Sequence, residues 1–533
     1  MQDKTNYYLS TFEKTKHIMR NCDWIHAATR QLVLPIAFCG TMMFTSCSDK
    51  DDPAQPATPE QQPVTPEEAA MPELKEDFES IAEWVTAGVK RCHPYIRKFW
   101  NEDADPADFN LLLTNESCDK VYFINANGKR EIPQTEWDDA LVKGLSEVGN
   151  ADYCFFMFQG KNCCLQIVSP GKWKMMAEVY KMLGKREPTL QDNAYLLLHT
   201  FYHESFHKYV QSLRGWNNLG SPYYSREQVF PVVYEPRIYR KLALLALLKA
   251  WEDPSQKDAQ YARAKYWTQK YESQYPIEAA GIRQTDVDES TAEYFCLSVI
   301  HAAFSDYQLL YDLDLAADLD SESYEMSLAM HLLFRDGRLA EAIKGVQDDV
   351  ITPINILLKN VAAPANYDEK QDAADVEKIR AAMDKMYTKD NPFIAPVAEL
   401  LERHLSGQAI YVAINPQLRN NYFSSQGSYK LTDLPGFNCN VRYESANENV
   451  EINGCTLLSY NDYHFYPIAT VEHLSLNDWQ DISEELTEVP DLVFTRQATL
   501  SAVTDEPTFT LKNLPATVMY GKDKLGNEYY MCK

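Results

Sequence analysis

The sequence predicts an α+β fold in three successive parts: a small antiparallel sheet, a mostly helical stretch, and a β-rich C-terminal domain. Three observations carry this. Between residues 110 and 170, VYFINANGKREI alternates about Asn127-Gly128, and YCFFMFQGKNCCLQIV turns about Gly160, so each reads as a hairpin. From about 189 to 405 the pattern turns helical. After Gly407 short alternating pieces return: AIYVAI, NVRYES, HFYPIATVEHL, LVFTRQATLSAV and EYYMC.

Taken in order, the folded part begins with a helix around Phe78 to Lys90. The helical stretch opens after Pro188 with Thr189-x-x-Asp192, a reciprocal capping signal. Helices are expected at 192–213, 236–252, 256–273, 286–304, 324–334, 338–360, 368–388 and 393–405. No repeat of fixed period is present. The parts are therefore 78–190 (α+β, with the sheet), 191–407 (helical) and 408–533 (β-rich).

A chain of 533 residues needs more than one core, and its composition is that of a folding protein. Its 51 Lys and Arg against 77 Asp and Glu leave a formal charge of -26, a surface that repels phosphate backbones and argues against nucleic-acid binding. Near the N-terminus, Arg20 and Arg30 precede the apolar run Leu32 to Phe44, too short to span a bilayer and suited to a secretory signal. The run ends in FTSC at Cys47, followed by SDKDD. This resembles a bacterial lipoprotein signal of the Bacteroidota surface-export type, which implies lipidation of Cys47 and anchorage at the outer membrane, facing outward. Residues 1–47 would be that signal, with Met19 as the true start. Residues 48–77, with Pro53, Pro56, Pro59, Pro63, Pro66 and Pro72, read as an extended tether.

Of the 12 cysteines, Cys22 and Cys39 leave with the signal and Cys47 would carry lipid. The rest are expected to be buried thiols, with Cys439 and Cys455 the one pair suggestive of a disulfide. Cys92-His93 and Cys296 lack a base that would make a nucleophile. The acidic run DLDLAADLDSE near 312–322 lacks the glycine of a calcium loop and reads as solvated loop. There is no G-x-S-x-G and no P-loop.

The stretch that carries chemistry is LLLHTFYHESFHKYVQ, Leu196 to Gln211. His203-Glu204-Ser205-Phe206-His207 is an H-E-x-x-H. On a helix the four-residue spacing stacks both imidazoles on one face, within reach of one metal ion, and Glu204 projects beside it, where it can deprotonate a water. His199 continues the stripe but lies too far along the helix to share a metal with both others, since eight residues rise about 12 Å; a core or bracing role is expected. A catalytic zinc needs a third protein ligand. Downstream, TDVDESTAEYFCL offers one: Asp286 or Asp288 would cap a helix, Glu289 would stand in its first turn, and Glu293 on the same face. Glu235, just before Pro236, Glu278 and Glu293 are alternatives.

The order HTFYHESFHKYVQ, YEPRIYRKLALLALL, DESTAEYF resembles zincin-like bacterial peptidases of the gluzincin type over residues 190–300, about a fifth of the chain. Thr200 and Tyr209 fit the wider pattern. Lys208 and Ser290 depart from it without removing a group the chemistry needs. The resemblance implies a zincin-like catalytic domain binding Zn2+ through His203, His207 and Glu289, with Glu204 as general base and Glu293 bracing a metal-bound histidine. It leaves Glu235 as a rival third ligand. It further implies a peptide or protein substrate aligned on an edge strand, for which the 153–168 hairpin is the candidate, and an oxyanion-assisting side chain, for which Tyr234, Tyr294 and His301 are candidates. Two other readings compete: a glycan- or protein-binding surface lipoprotein of a nutrient-uptake system, and a zincin fold that binds metal without turnover.

Overall fold

The computed structural model describes residues 70–182, 186–212, 233–304 and 321–386, with short pieces between them and the strands of the C-terminal part. The signal, Cys47, most of the tether and the expected helix at 393–405 lie outside the described residues, apart from Glu402. So does the Cys439–Cys455 pair, as side chains. The packed chain reaches back into the tether: Met71 and Leu74 lie against the main core, and Ser80 Oγ donates to the Glu73 carbonyl.

Helix α1 (Phe78–Cys92) starts where the Asp77 carboxylate accepts from Ser80 N. A five-stranded sheet follows: β1 (Leu111–Asn115), β2 (Val121–Asn125), β3 (Gly128–Glu131), then α2 (Asp139–Ala151), β4 (Tyr153–Phe158) and β5 (Lys161–Val168), in spatial order β3-β2-β1-β5-β4. Both expected hairpins are present. Asn125 pairs with Gly128, and Phe158 pairs with Lys161 across Gln159 and Gly160, both at positive φ as a type I′ turn requires. The sheet is mixed, however, and not antiparallel throughout. β1 and β5 are parallel neighbours, because α2 carries the chain from one hairpin to the other as a crossover.

Burial on both faces explains the unbroken apolar run of β1. Leu111, Leu113, Tyr122, Ile124 and Cys164 face the main helical core. Leu112, Val121, Cys163 and Leu165 face α2 through Leu141, Leu145 and Val148. The sheet is thus the middle layer between α2 and the helices.

After α3 (Pro170–Met182), α4 (Leu190–Ser205) begins with the capping box predicted at Thr189 and Asp192, and it continues as a π-helical turn over Phe206–Gln211. The later helices are α5 (Tyr234–Glu252), α6 (Lys257–Gln274), α7 (Pro276–Ala303), α8 (Ser321–Glu325), α9 (Ser327–Arg335), α10 (Leu339–Asp348), α11 (Pro353–Leu357) and α12 (Ala373–Met386). Three differ from expectation. α7 begins ten residues before 286, so neither Asp286 nor Asp288 is a cap and Glu289 lies mid-helix; Asp286 is instead held by Arg240. The helix expected at 338–360 breaks where Val350 turns to positive φ and Thr352 precedes Pro353 in extended geometry. The one expected at 324–334 is two short helices. Among the described residues no helix is long and apolar enough to cross a membrane.

In the C-terminal part, strands occur at Ile410–Ile414, Phe423–Leu434, Phe437–Ala446 and in shorter pieces to Glu528–Cys532. Phe423–Leu434 pairs antiparallel with Phe437–Ala446. Val229 and Phe230 pair parallel with Lys430 and Leu431.

Candidate metal centre

Helices α4 and α7 pack side by side, each with a face that buries polar groups in an otherwise apolar core. From α4 come His199, His203 and, in the π-helical turn, His207; from α7 come Glu289, Glu293 and Cys296. His203 is 2% exposed and Glu293 fully buried, so their polar atoms need partners here rather than in water.

His203, His207 and Glu289 converge on one point. His203 Nε2 and His207 Nε2 are 2.9 Å apart, and each is 3.2 Å from Glu289 Oε2. Two imidazole nitrogens that close either share a proton in an N–H···N hydrogen bond or ligate a common cation. A tetrahedral zinc with ligands at its usual bond lengths would space those ligands about 3.3 Å apart, so this triangle of donors fits such an ion almost as it stands. Burial alone would disfavour charge on both histidines, but Cys296, Glu289 and Glu293 outweigh it at His203, and Glu289 does so at His207. Burial would likewise raise the Glu289 carboxyl, yet His207 and His203 hold it well below the usual carboxylate range. The site is built for positive charge facing ionised carboxylate.

The partners behind the donors decide which nitrogens face the centre. Gln211 Nε2 donates to the Asp288 carbonyl at 2.8 Å and to Thr291 Oγ1 at 2.9 Å. Its Oε1 must therefore face His207 Nδ1, 2.6 Å away. That oxygen can only accept, so His207 Nδ1 carries a proton, and Nε2 is the nitrogen left to face the centre. On the other histidine, Nδ1 lies 3.2 Å from Glu293 Oε2. His199 Nε2 makes the straighter bond to that same oxygen, at 2.9 Å. His203 Nδ1 and Glu293 Oε1 are both buried without a hydrogen-bond partner: a donor and an acceptor on neighbouring side chains, ready to satisfy each other. Glu293 is pulled down to about 2, since His199 and His203 outweigh its burial. His199 thus braces Glu293, and its ring stacks on that of His203 with centroids 5.5 Å apart. Cys296 Sγ donates to the Glu293 carbonyl.

Glu204, on the adjoining turn of α4, is half-buried and lies near Tyr153 of β4, whose phenol it helps keep protonated. β4 is the outermost strand of the sheet on that side, and its Phe155 ring meets Tyr209 edge-on at 5.5 Å. The edge of the 153–168 hairpin therefore runs beside Glu204.

The other candidates lie elsewhere. Glu235 pairs with Arg380 at 3.0 Å, and Glu278 is held by Arg237 and Tyr271; among the described residues neither joins a histidine cluster. Nor do the three expected oxyanion assistants reach the centre. Tyr234 bonds Asp384, the Tyr294 ring packs on His331, and His301 bonds the Tyr307 carbonyl. Among the described residues a phenol that does reach it is Tyr324 of α8, which sequence reasoning missed. Its ring stacks on His203 at 5.3 Å and 9°, and its hydroxyl feels the charge of Glu289. Burial, Glu289 and Glu204 all push its ionisation upward, so it stays a neutral donor. Gln211 was missed as well, although the spacing 199, 203, 207, 211 places it on the histidine stripe.

No protein-family model matches this chain, and no curated protein or solved structure matches it either.

Proposed function

We propose that this chain is a zinc-dependent peptidase with a gluzincin-like centre in a zincin-like catalytic part. In this reading a β-rich domain follows from about residue 408, and the whole is displayed at the outer membrane through lipidated Cys47. The observation that carries the reading is the convergence of His203 Nε2, His207 Nε2 and Glu289 Oε2 on one point, with Glu204 on the next helical position and the edge strand β4 nearby among the described residues.

His203, His207 and Glu289 would hold Zn2+, which when bound supplies a Lewis acid and lowers the pKa of water. Glu204 takes the proton of the attacking water and passes it to the departing amine nitrogen, so one carboxylate serves as base and then acid. Tyr324 donates its hydroxyl to the carbonyl oxygen as negative charge grows there. β4, an edge strand of the sheet among the described residues, offers backbone groups along which an extended peptide could lie, with Tyr153 beside Glu204 on that side. Gln211, Glu293 and His199 keep the two histidines turned with Nε2 toward the metal.

The test is Glu204→Gln in the purified protein, with metal content and cleavage of a mixed peptide library measured together. About one zinc per chain in both proteins, with turnover lost by at least ~100-fold in the variant, is the expected result. Equal turnover in the variant would remove the mechanism. Metal without turnover in either protein would mean an inactive zincin, and no metal in either would favour a binding lipoprotein.

A further inference from the structure

Behind the metal centre lies a buried charge network that the chemistry above does not use. Helix α5 contributes Arg237, Arg240 and Lys241, which are 3%, 4% and 1% exposed. Arg240 grips Asp286 with both terminal nitrogens, at 2.9 and 2.8 Å, and reaches Glu322 with Nε at 2.8 Å. Arg237 lies 3.7 Å from the same Glu322 and bonds Glu278. Lys241 bonds Glu325. Ser323 Oγ closes the circuit by donating to Asp286 Oδ1 at 2.8 Å.

The arrangement has a direction. Asp286 stands one helical turn before Glu289 on α7. Glu322, Ser323 and Glu325 surround Tyr324 on α8, a helix of five residues, too short to be stable by itself. Three of those five side chains are thus tied to the network, and the fourth, Tyr324, projects to the centre, over the His203 ring. Burying this many charges costs free energy that an apolar core would not. What such a network does supply is register: a planar guanidinium forked onto one carboxylate and bonded to a second admits few relative positions of the helices that carry them.

We infer that Arg240 is a positioning residue that locks α8 to α7 and thereby sets the Tyr324 phenol over the metal centre, with Lys241 and Ser323 completing the lock. The kinetic part of this statement rests on the peptidase reading; the placement of Tyr324 does not.

Two sets of full-length variants test it. The lock is removed without stranding a charge by combining Arg240→Met, Asp286→Asn and Glu322→Gln, and it is loosened by Arg240→Lys, which keeps the charge and loses the fork. Each is made with and without Tyr324→Phe. By itself Tyr324→Phe is expected to lower kcat about 10- to 100-fold with zinc content unchanged. The triple variant is expected to lower kcat at least about 10-fold with KM within about threefold, and adding Tyr324→Phe to it to cost less than about threefold more, because both act through one phenol. Arg240→Lys should follow the same pattern at smaller amplitude, and it serves if the triple variant does not fold. Wild-type kcat in the lock variants, or a full Tyr324→Phe effect in their background, overturns the inference.

A second readout is independent of turnover. With 3-fluorotyrosine placed at position 324 of the full chain, its 19F resonance is expected to shift on zinc addition. In the lock variants it should move toward that of free 3-fluorotyrosine and lose the zinc response. An unchanged resonance in those variants overturns the lock whatever the activity. A zinc-dependent shift that the variants lose, in a protein that cleaves no peptide, keeps the lock and removes the peptidase.

Discussion

Gln211 Oε1 sits 2.6 Å from His207 Nδ1, and this contact sets the tautomer of one proposed ligand from a residue one π-helical turn further on. The other end of the same amide is fixed to α7 at Asp288 and Thr291. Gln211 therefore ties the histidine helix to the glutamate helix as well as orienting the ring. Replacing it by leucine keeps the volume and removes both functions. Gln211→Leu is expected to weaken zinc binding about 10- to 100-fold, measured by competition with a chromogenic chelator, while far-UV circular dichroism stays unchanged. Wild-type affinity would mean that the ring is oriented some other way.

The choice between third ligands can be read from metal content alone. Glu289→Gln removes one anionic donor at the point where both histidines meet and should reduce bound zinc to well below one per chain. Glu235→Gln should leave zinc at wild-type level. Its partner Arg380 is 41% exposed and Glu235 itself 44%, so the lost ion pair is expected to cost at most about 1 kcal/mol.

Much of this site can be read from local sequence. The histidine spacing, the Thr189 and Asp192 cap and the two hairpin turns depend on neighbours within a few residues, and they stand where their patterns place them. The errors share a different cause. Asp286 reads locally as a helix cap, and only the distant Arg240 makes it a buried ion-pair partner. The parallel pairing of β1 with β5 needs α2 to cross the sheet, which no hairpin signal contains. Tyr324 follows an acidic run and has no periodic link to His203, 121 positions before it. One signal did point there: Glu322 and Glu325 begin a strongly apolar stretch, SLAMHLLF, and carboxylates entering a core require cations.

Tyr153 offers a prediction for the substrate side. Its hydroxyl lies near Glu204, and burial together with that carboxylate keeps it protonated. Tyr153→Phe leaves the proposed metal ligands untouched and removes the hydroxyl beside the proposed general base. Zinc content should be unchanged and kcat/KM should fall about 3- to 10-fold, the worth of one polar group beside a reacting one. A parallel loss of zinc would show that Tyr153 supports the centre itself.

The last prediction concerns a histidine outside the candidate metal centre. His331 of α9 is buried between Tyr294 and Trp251, with its ring nitrogens at Ser298 Oγ and the Ser327 carbonyl, each 3.1 Å away. Burial lowers it from 6.5 to about 4. Between those values the unfolded chain binds a proton that the folded chain refuses, so stability is whole above about pH 6.5 and falls as pH drops toward 4. The full difference corresponds to about 3 kcal/mol. Thermal unfolding of the zinc-free protein at pH 7 and pH 4.5 should show this acid loss, and His331→Gln should make it smaller by about 2–3 kcal/mol whatever its effect at pH 7. The histidines of the metal centre titrate alike in both proteins, so the comparison isolates His331. Equal acid sensitivity in the two would mean that the ring is already charged when folded.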